Sequence, residues 1–308
     1  MPKFLEHFNI KETDVDGEFL NLDLEKDTKL FIDSYYLTWS KNAYCIKALE
    51  TQRVFMEELM ESMKTNNEAK TYELCSHFKE PKSTGIGLSI SSFNGKGSDE
   101  IKVRKIIDAL KQSKAATTGL LQDLEELILV IKDIGADTIS DITTNICFKH
   151  FAEYTLEQCT KLNIKVSETE KEFFYFCEVN KQWKSKKFLL PHPPLGKSKT
   201  ISPVVLLPTE ILDDLISYNP SYFFTTIASP IYAKRALNKY PAASFVYSVK
   251  KTGEKKVVLK EIREKYPEYR GYKENLDKLV TESPSLLEEY KTKVASKRYR
   301  DRVLKSKS

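Results

Sequence analysis

The chain is short of the features that would assign it quickly. It has five cysteines, Cys45, Cys75, Cys147, Cys159 and Cys177, and no CxxC pair among its 308 residues. An odd, scattered set argues for reduced thiols in the cytoplasm and against a disulfide scaffold or a zinc site. No apolar run approaches the roughly 20 residues that span a bilayer, so no membrane association is expected. The opening, MPKFLEHFNIKETDVDGEFL, is too acidic and too interrupted for a signal peptide. GxxxxGK[ST], GxGxxG after a strand, HExxH and GxSxG are all missing. His192 sits between prolines with no partner at metal-ligand spacing. There is no internal repeat.

What is present is a soluble-protein composition with an uneven charge. Hydrophobic residues make up 41% and charged residues 30%, enough for one large core or two smaller ones. From Ile231 onward there are 21 Lys or Arg and 10 Asp or Glu, a balance of +11; the first 230 residues balance at −6. A basic end on an acidic body points to a polyanion or an acidic partner, unless it is only a solvated helical surface.

Periodicity predicts helices over Lys41–Thr65 and Glu68–Phe78, the second stopped by Pro81. Leu30, Phe31 and Ile32 read as a short strand ending at Asp33, where an acid is either a ligand or a turn cap. Ile86, Leu88 and Ile90 alternate as a strand, and Asn94–Gly97 as a turn capped onward by Ser98. Gly119–Leu162 reads as a helical hairpin. Leu120, Leu121, Leu124, Leu127, Ile128 and Ile131 form one apolar face; Gly135 is placed as a C-terminal cap. Thr138 and Asp141 resemble a capping box for the second helix, whose buried stripe is Ile139, Ile142 and Ile146. The bend gathers Asp133, Asp137 and Asp141, with Asn145 on the face of Asp141.

Ser167 and Glu170 suggest another capping box before FFYFC, a run that periodicity leaves open between helix and strand. Val204–Leu207 reads as a buried strand, and Thr209 as the cap of a short helix through Tyr218. After about Asn219 the composition shifts. Ser229-Pro230 opens a helix through Tyr240. Phe245–Val249 and Val257–Leu259, joined by KKTGEKK, form a hairpin with Gly253 in its turn. Ser283 and Pro284 start a last helix that ends in SKRYRDRVLKSKS. There Lys297, Arg298, Tyr299, Arg300 and Arg302 mix cations with an aromatic ring, as phosphate contact plus stacking requires. The expected fold is α+β and predominantly helical: a central helical hairpin, a few short strands and a smaller basic helical region. Residues 1–218 would form the main domain and 219–308 the basic one.

The segments LFIDSYYL, LCSHFKEPKSTGIGLS, NGKG, SKAATTGLLQDLEELILVIKDIGADTISDITTNIC and EYTLEQC together resemble a family of bacterial proteins associated with mobile elements and anti-phage defence islands. The resemblance runs from about Val15 to Leu215, more loosely in KFLLPHPPLGKSKTISPVVLLPTEIL. Longer members of that family carry a C-terminal PD-(D/E)xK nuclease-like domain. Glu261 in LKEIREK lacks the strand and the preceding acid of that motif, so restriction-type catalysis does not carry over. The matching polar positions are Asp33, Ser76, His77, Glu80, Asp123, Glu125, Asp137, Ser140, Asp141 and Asn145. The resemblance implies a defence component. The first reading is a subunit that binds DNA or RNA, or a protein from the same operon, with self-association open. The alternative is a metal-dependent nuclease or phosphodiesterase. Asp33, Glu80, Asp137 and Asp141 would then gather around Mg²⁺ or Mn²⁺, with Asp33, Asp137 and Asp141 as the core ligands. Asn145 and His77 would orient substrate or water.

Overall fold

In the computed structural model, residues 3–81, 83–87 and 98–305 are described. Helix accounts for 52% and strand for 12%, in a predominantly helical α+β fold. No helix among the described residues is long and apolar enough to cross a membrane.

The organising rod is the helix Ala43–Lys64. Asn42 caps it, its side-chain oxygen accepting from Tyr44 N at 2.9 Å. Cys45, Ala48, Phe55, Met56, Leu59, Met60 and Met63 give it a buried stripe at helical spacing. It ends where Asn66 takes a left-handed φ of 53°. Asn67 then caps Glu68–Cys75. Against this rod lie the helices Ala136–Ile146 and Phe148–Lys161.

The strands come as two-stranded antiparallel pairs. Phe31–Ile32 pairs with Leu212–Asp213, joining the beginning of the chain to its middle. FFYFC resolves as strand: Phe173–Cys177 pairs with Gln182–Lys186. Both of its faces find aromatic partners. Phe173 stacks on Phe148 with centroids 4.8 Å apart, and Phe176 meets Phe55 at 5.0 Å. Ser167–Glu168 is itself a short strand, paired with Leu189–Leu190, and not a helix start. Ile86 makes a parallel bridge with Thr28, whereas Leu88, Ile90 and the turn Asn94–Gly97 lie outside the described residues.

Four further expectations change. The first arm of the hairpin is two short pieces, a 3-10 turn Leu124–Glu126 and one helical turn Leu127–Val130. Leu127 through Ile131 are buried on every side, so the stretch is a core strut without a solvent face. Gly135 is the N-terminal cap of Ala136–Ile146, with an extended φ of −120°. The left-handed residue at the bend is Asp133 (φ 62°), and Thr138 is buried inside the helix. Val204–Leu207 is buried, but its amides turn to loops and to one side chain: Val205 N donates to Ser83 O and Leu206 N to Thr155 Oγ1. Thr209 leads into a 3-10 turn Thr209–Ile211 and the strand Leu212–Asp213, without a longer helix.

The C-terminal region follows the sequence closely. It holds the helix Ser229–Lys239, the hairpin Val246–Ser248 with Lys255–Val257, and the helices Leu259–Lys265, Lys273–Glu282 and Ser285–Lys305. One buried cluster runs from Phe31 through Tyr218 to Val294, so the core is continuous across the change in composition near residue 219. A smaller cluster, around Phe4, Phe19, Leu22, Tyr154 and Leu206, closes the N-terminal end.

Candidate nucleic-acid interface and the polar clasp beneath it

The expected carboxylates fall into two separate settings. Asp33 is 1% exposed and ends the strand Phe31–Ile32. Its Oδ1 caps the following turn by accepting from Tyr35 N at 3.3 Å. Its Oδ2 accepts from Ser217 N at 2.8 Å, Ser217 Oγ at 2.5 Å and Arg298 Nη2 at 3.2 Å. Burial pushes Asp33 up to about 6, against the pull of the Ser217 hydrogen bonds and the Arg298 charge. Arg298 also reaches Asp213 at 3.3 Å and Leu215 O at 2.8 Å, and lies 5.1 Å over the Tyr36 ring. An arginine from the basic tail thus closes the pocket around Asp33.

The second setting is the bend. Asp141 is 7% exposed and paired with Lys102 at 3.1 Å. Burial, with the negative charges of Asp137 and Glu80 nearby, lifts Asp141 to about 7 despite Lys102. Asp137 is half-buried and Glu80 exposed. Asn145 pins the backbone, donating to Lys79 O at 2.6 Å and Asp141 O at 2.9 Å. His77 lies against Phe174 (4.1 Å) and Trp183 (4.7 Å), and burial lowers it to about 4. Among the described residues no group of three or more His, Cys, Asp or Glu side chains is placed to hold a metal ion. The set Asp33, Asp137 and Asp141 is therefore not assembled there: Asp33 faces Ser217 and Arg298, while Asp141 faces Lys102.

Arg298 is one of four charged anchors between the C-terminal region and the body. Lys291, two helical turns earlier on the same face, meets Asp123 at 2.5 Å. Lys273 donates to Ile131 O at 2.8 Å and Ile134 O at 2.6 Å, just before the bend; burial brings its ammonium down to about 8. Asp277 accepts from Ser113 Oγ at 2.5 Å, Lys114 N at 3.0 Å and Ala115 N at 3.1 Å, capping a helical turn 163 residues away. Under this clasp lie Glu125 and Glu126, 3% and 2% exposed. Burial and the Asp123 charge raise Glu125 to about 8. Burial raises Glu126 to about 7, although its Oε2 accepts from Gln122 N at 2.7 Å.

The tail therefore presents fewer cations outward than its sequence suggests. Lys293 pairs with Glu289 at 2.9 Å and donates to Thr226 O. Lys297 and Arg300 are exposed, Lys297 with its ammonium 4.7 Å from the Tyr222 ring centroid. The side chains of Tyr299 and Arg302 lie outside the described residues.

The outward-facing cations are on residues 234–265, which hold ten Lys or Arg and three Glu. Their most prominent feature is the hairpin Val246–Ser248/Lys255–Val257, turned by Gly253 at φ 66°. Val246 and Val257, opposite one another, pack toward the core. The next pair, Tyr247 and Lys256, takes the other face of the ribbon, and Tyr247 is 47% exposed. Lys250, Lys251, Lys255 and Lys256 are all exposed. Only Lys256 of these four has an ion pair among the described residues, with Glu254 at 3.4 Å. The alternation was legible in the sequence. The dominance of this ribbon over the tail was not, because it depends on which cations the body captures.

No curated protein and no solved structure matches the chain. A family model does, over residues 9–219, the stretch that supplies Asp33, Asp123, Asp141 and Asp213. That match covers well over half of the 308 residues, and the chain belongs to the family of this domain of unknown function, DUF8370.

Proposed function

We propose that this chain is a nucleic-acid-binding subunit of a bacterial anti-phage defence system. The family resemblance supplies the setting. The observation that carries the binding reading is the basic ribbon: four exposed lysines around one turn, three of them without an ion pair among the described residues, beside an exposed tyrosine. Lysines held this way neutralise backbone phosphates, and each released counterion adds to the salt dependence. The tyrosine offers a flat surface to an unpaired base. The clasp supports the same reading, because it fixes the ribbon's platform to the body by charged anchors. The alternative of Mg²⁺- or Mn²⁺-dependent hydrolysis draws no comparable support from the carboxylates.

Fluorescence anisotropy with labelled single-stranded DNA, RNA and duplex tests the proposal. Changing Lys250, Lys251, Lys255 and Lys256 together to Ala should leave thermal stability within a degree or two. It should also flatten the slope of log K against log salt by roughly 3, at about 0.7 to 0.9 for each phosphate contact. An unchanged slope would remove the ribbon from the argument. Absence of binding to all three probes would overturn the nucleic-acid reading and leave a protein partner.

A further inference from the structure

The tyrosines of the C-terminal region are bound up with one another. Tyr232 meets Tyr269, Tyr240 stacks on Tyr266 with centroids 4.6 Å apart, and Tyr222 meets Tyr290. Tyr272 is more exposed, but the Arg270 guanidinium lies 5.8 Å from its ring centroid and donates to its Oη at 3.1 Å. Tyr247 differs. It is 47% exposed, and among the described residues its ring meets no other ring or cation and its hydroxyl no hydrogen-bond partner.

The ribbon that carries Tyr247 is laid on the body along one face. Val246 and Val257 pack against the core, the helix Ser229–Lys239 lies against the strand Lys255–Val257, and Val258 N donates to Phe245 O at 2.8 Å. Its turn is closed by Gly253 N, which donates to Val249 O at 2.8 Å, and by Val249 N, which donates to Glu254 O at 2.9 Å. Three residue pairs make the ribbon about 10 Å long. A free two-stranded ribbon reads duplex by entering a major groove about 8.5 Å deep. With one face docked and so little length, this ribbon cannot sink into that groove. A ligand meets its outer face: the Tyr247 ring, Lys256 directly across from it, and Lys250 and Lys251 at the turn. Bases in a duplex cover one another's faces, whereas an unpaired base can lie on the ring. The lysines by themselves would favour duplex, which releases about 0.9 counterion per phosphate contact against about 0.7 for a single strand. Charge and ring therefore pull toward different ligands.

We propose that the ribbon selects single-stranded nucleic acid over duplex, with one base stacked on Tyr247 and the flanking phosphates on Lys250, Lys251 and Lys256. This rests on the nucleic-acid reading above and names the class of strand it takes. The unpaired base and the phosphate are common to DNA and RNA.

Fluorescence anisotropy of the full chain with labelled oligo(dT) and oligo(U) of about 12 nucleotides, within the span of a single-strand site, against a duplex of the same length tests it. The two single strands tell DNA from RNA as the source. The tighter of them should bind at least about tenfold better than duplex at the same salt, a preference that stacking supplies and charge opposes. Tyr247→Ala should weaken that strand roughly five- to hundredfold. It should leave duplex binding and the slope of log K against log salt as they were. Tyr247→Phe, which keeps the ring, should bind as the parent does. Duplex bound as tightly as either single strand by the parent chain would overturn the single-strand assignment and leave the nucleic-acid reading standing. So would undiminished single-strand affinity in a Tyr247→Ala variant that melts as the parent does. Binding to none of the three probes would overturn both.

Discussion

Replacing Arg298 by Ala separates an arginine that holds the fold from one that holds a ligand. The guanidinium leaves four acceptors: Asp33 Oδ2, Asp213 Oδ2, Ser217 Oγ and Leu215 O. Asp33 stays behind at 1% exposure. Breaking a buried charge pair from one side costs about 3 to 5 kcal/mol when the remaining charge has no escape, a large part of a typical stability of 5 to 15 kcal/mol. Asp33 does have an escape, because it can bind a proton. Its folded pKa, already raised to about 6 with Arg298 in place, must rise further without that charge. A carboxyl whose folded pKa lies above its unfolded value stabilises most at low pH, and loses that contribution as pH rises through the folded pKa. The deficit of the variant should therefore be full near pH 8 and shrink toward pH 5, where neutral Asp33 keeps only its Ser217 hydrogen bonds. Urea unfolding followed by Trp fluorescence at the two pH values measures this. Asp33→Asn in the Arg298→Ala background should recover much of the loss at pH 8. A deficit below about 1 kcal/mol at pH 8, or one that does not change with pH, would refute the reasoning. So would a loss of nucleic-acid affinity with stability intact, which would return Arg298 to the binding surface.

Other changes read out the rest of the clasp. Asp277→Ala removes three hydrogen bonds that cap a turn across the core. It should cost about 2 to 3 kcal/mol, and amide exchange at Lys114 and Ala115 should rise before that of the long helix. Glu125 and Glu126 are held near 8 and 7 by burial. By the same sign argument the melting temperature should fall as pH goes from 5 to 9, and Glu125→Gln should flatten that fall. Lys273→Met keeps much of the packing but leaves Ile131 O and Ile134 O without their shared donor. A loss of about 1 to 3 kcal/mol, with no change in the salt slope of nucleic-acid binding, is expected by denaturation and anisotropy together.

Local chemistry alone determined a good deal of this protein. The long helix, the stripe Ile139, Ile142 and Ile146, the hairpin around Gly253 and the last helix after Pro284 all depend on periods and caps within a few residues. The reading failed where burial is complete. Leu124 to Ile131 broke into two short turns, buried without a solvent face, and FFYFC stayed ambiguous until Phe148 and Phe55 took its two faces. Gly135 was assigned to the wrong end of a helix because Asp133 supplied the left-handed turn. Only the tertiary structure could decide which charges look outward. Arg298 meets Asp33 across 265 residues, and Asp277 caps a turn 163 residues away. Charge is written along the chain, but its availability to a ligand depends on which opposite charge the fold brings within about 3 Å.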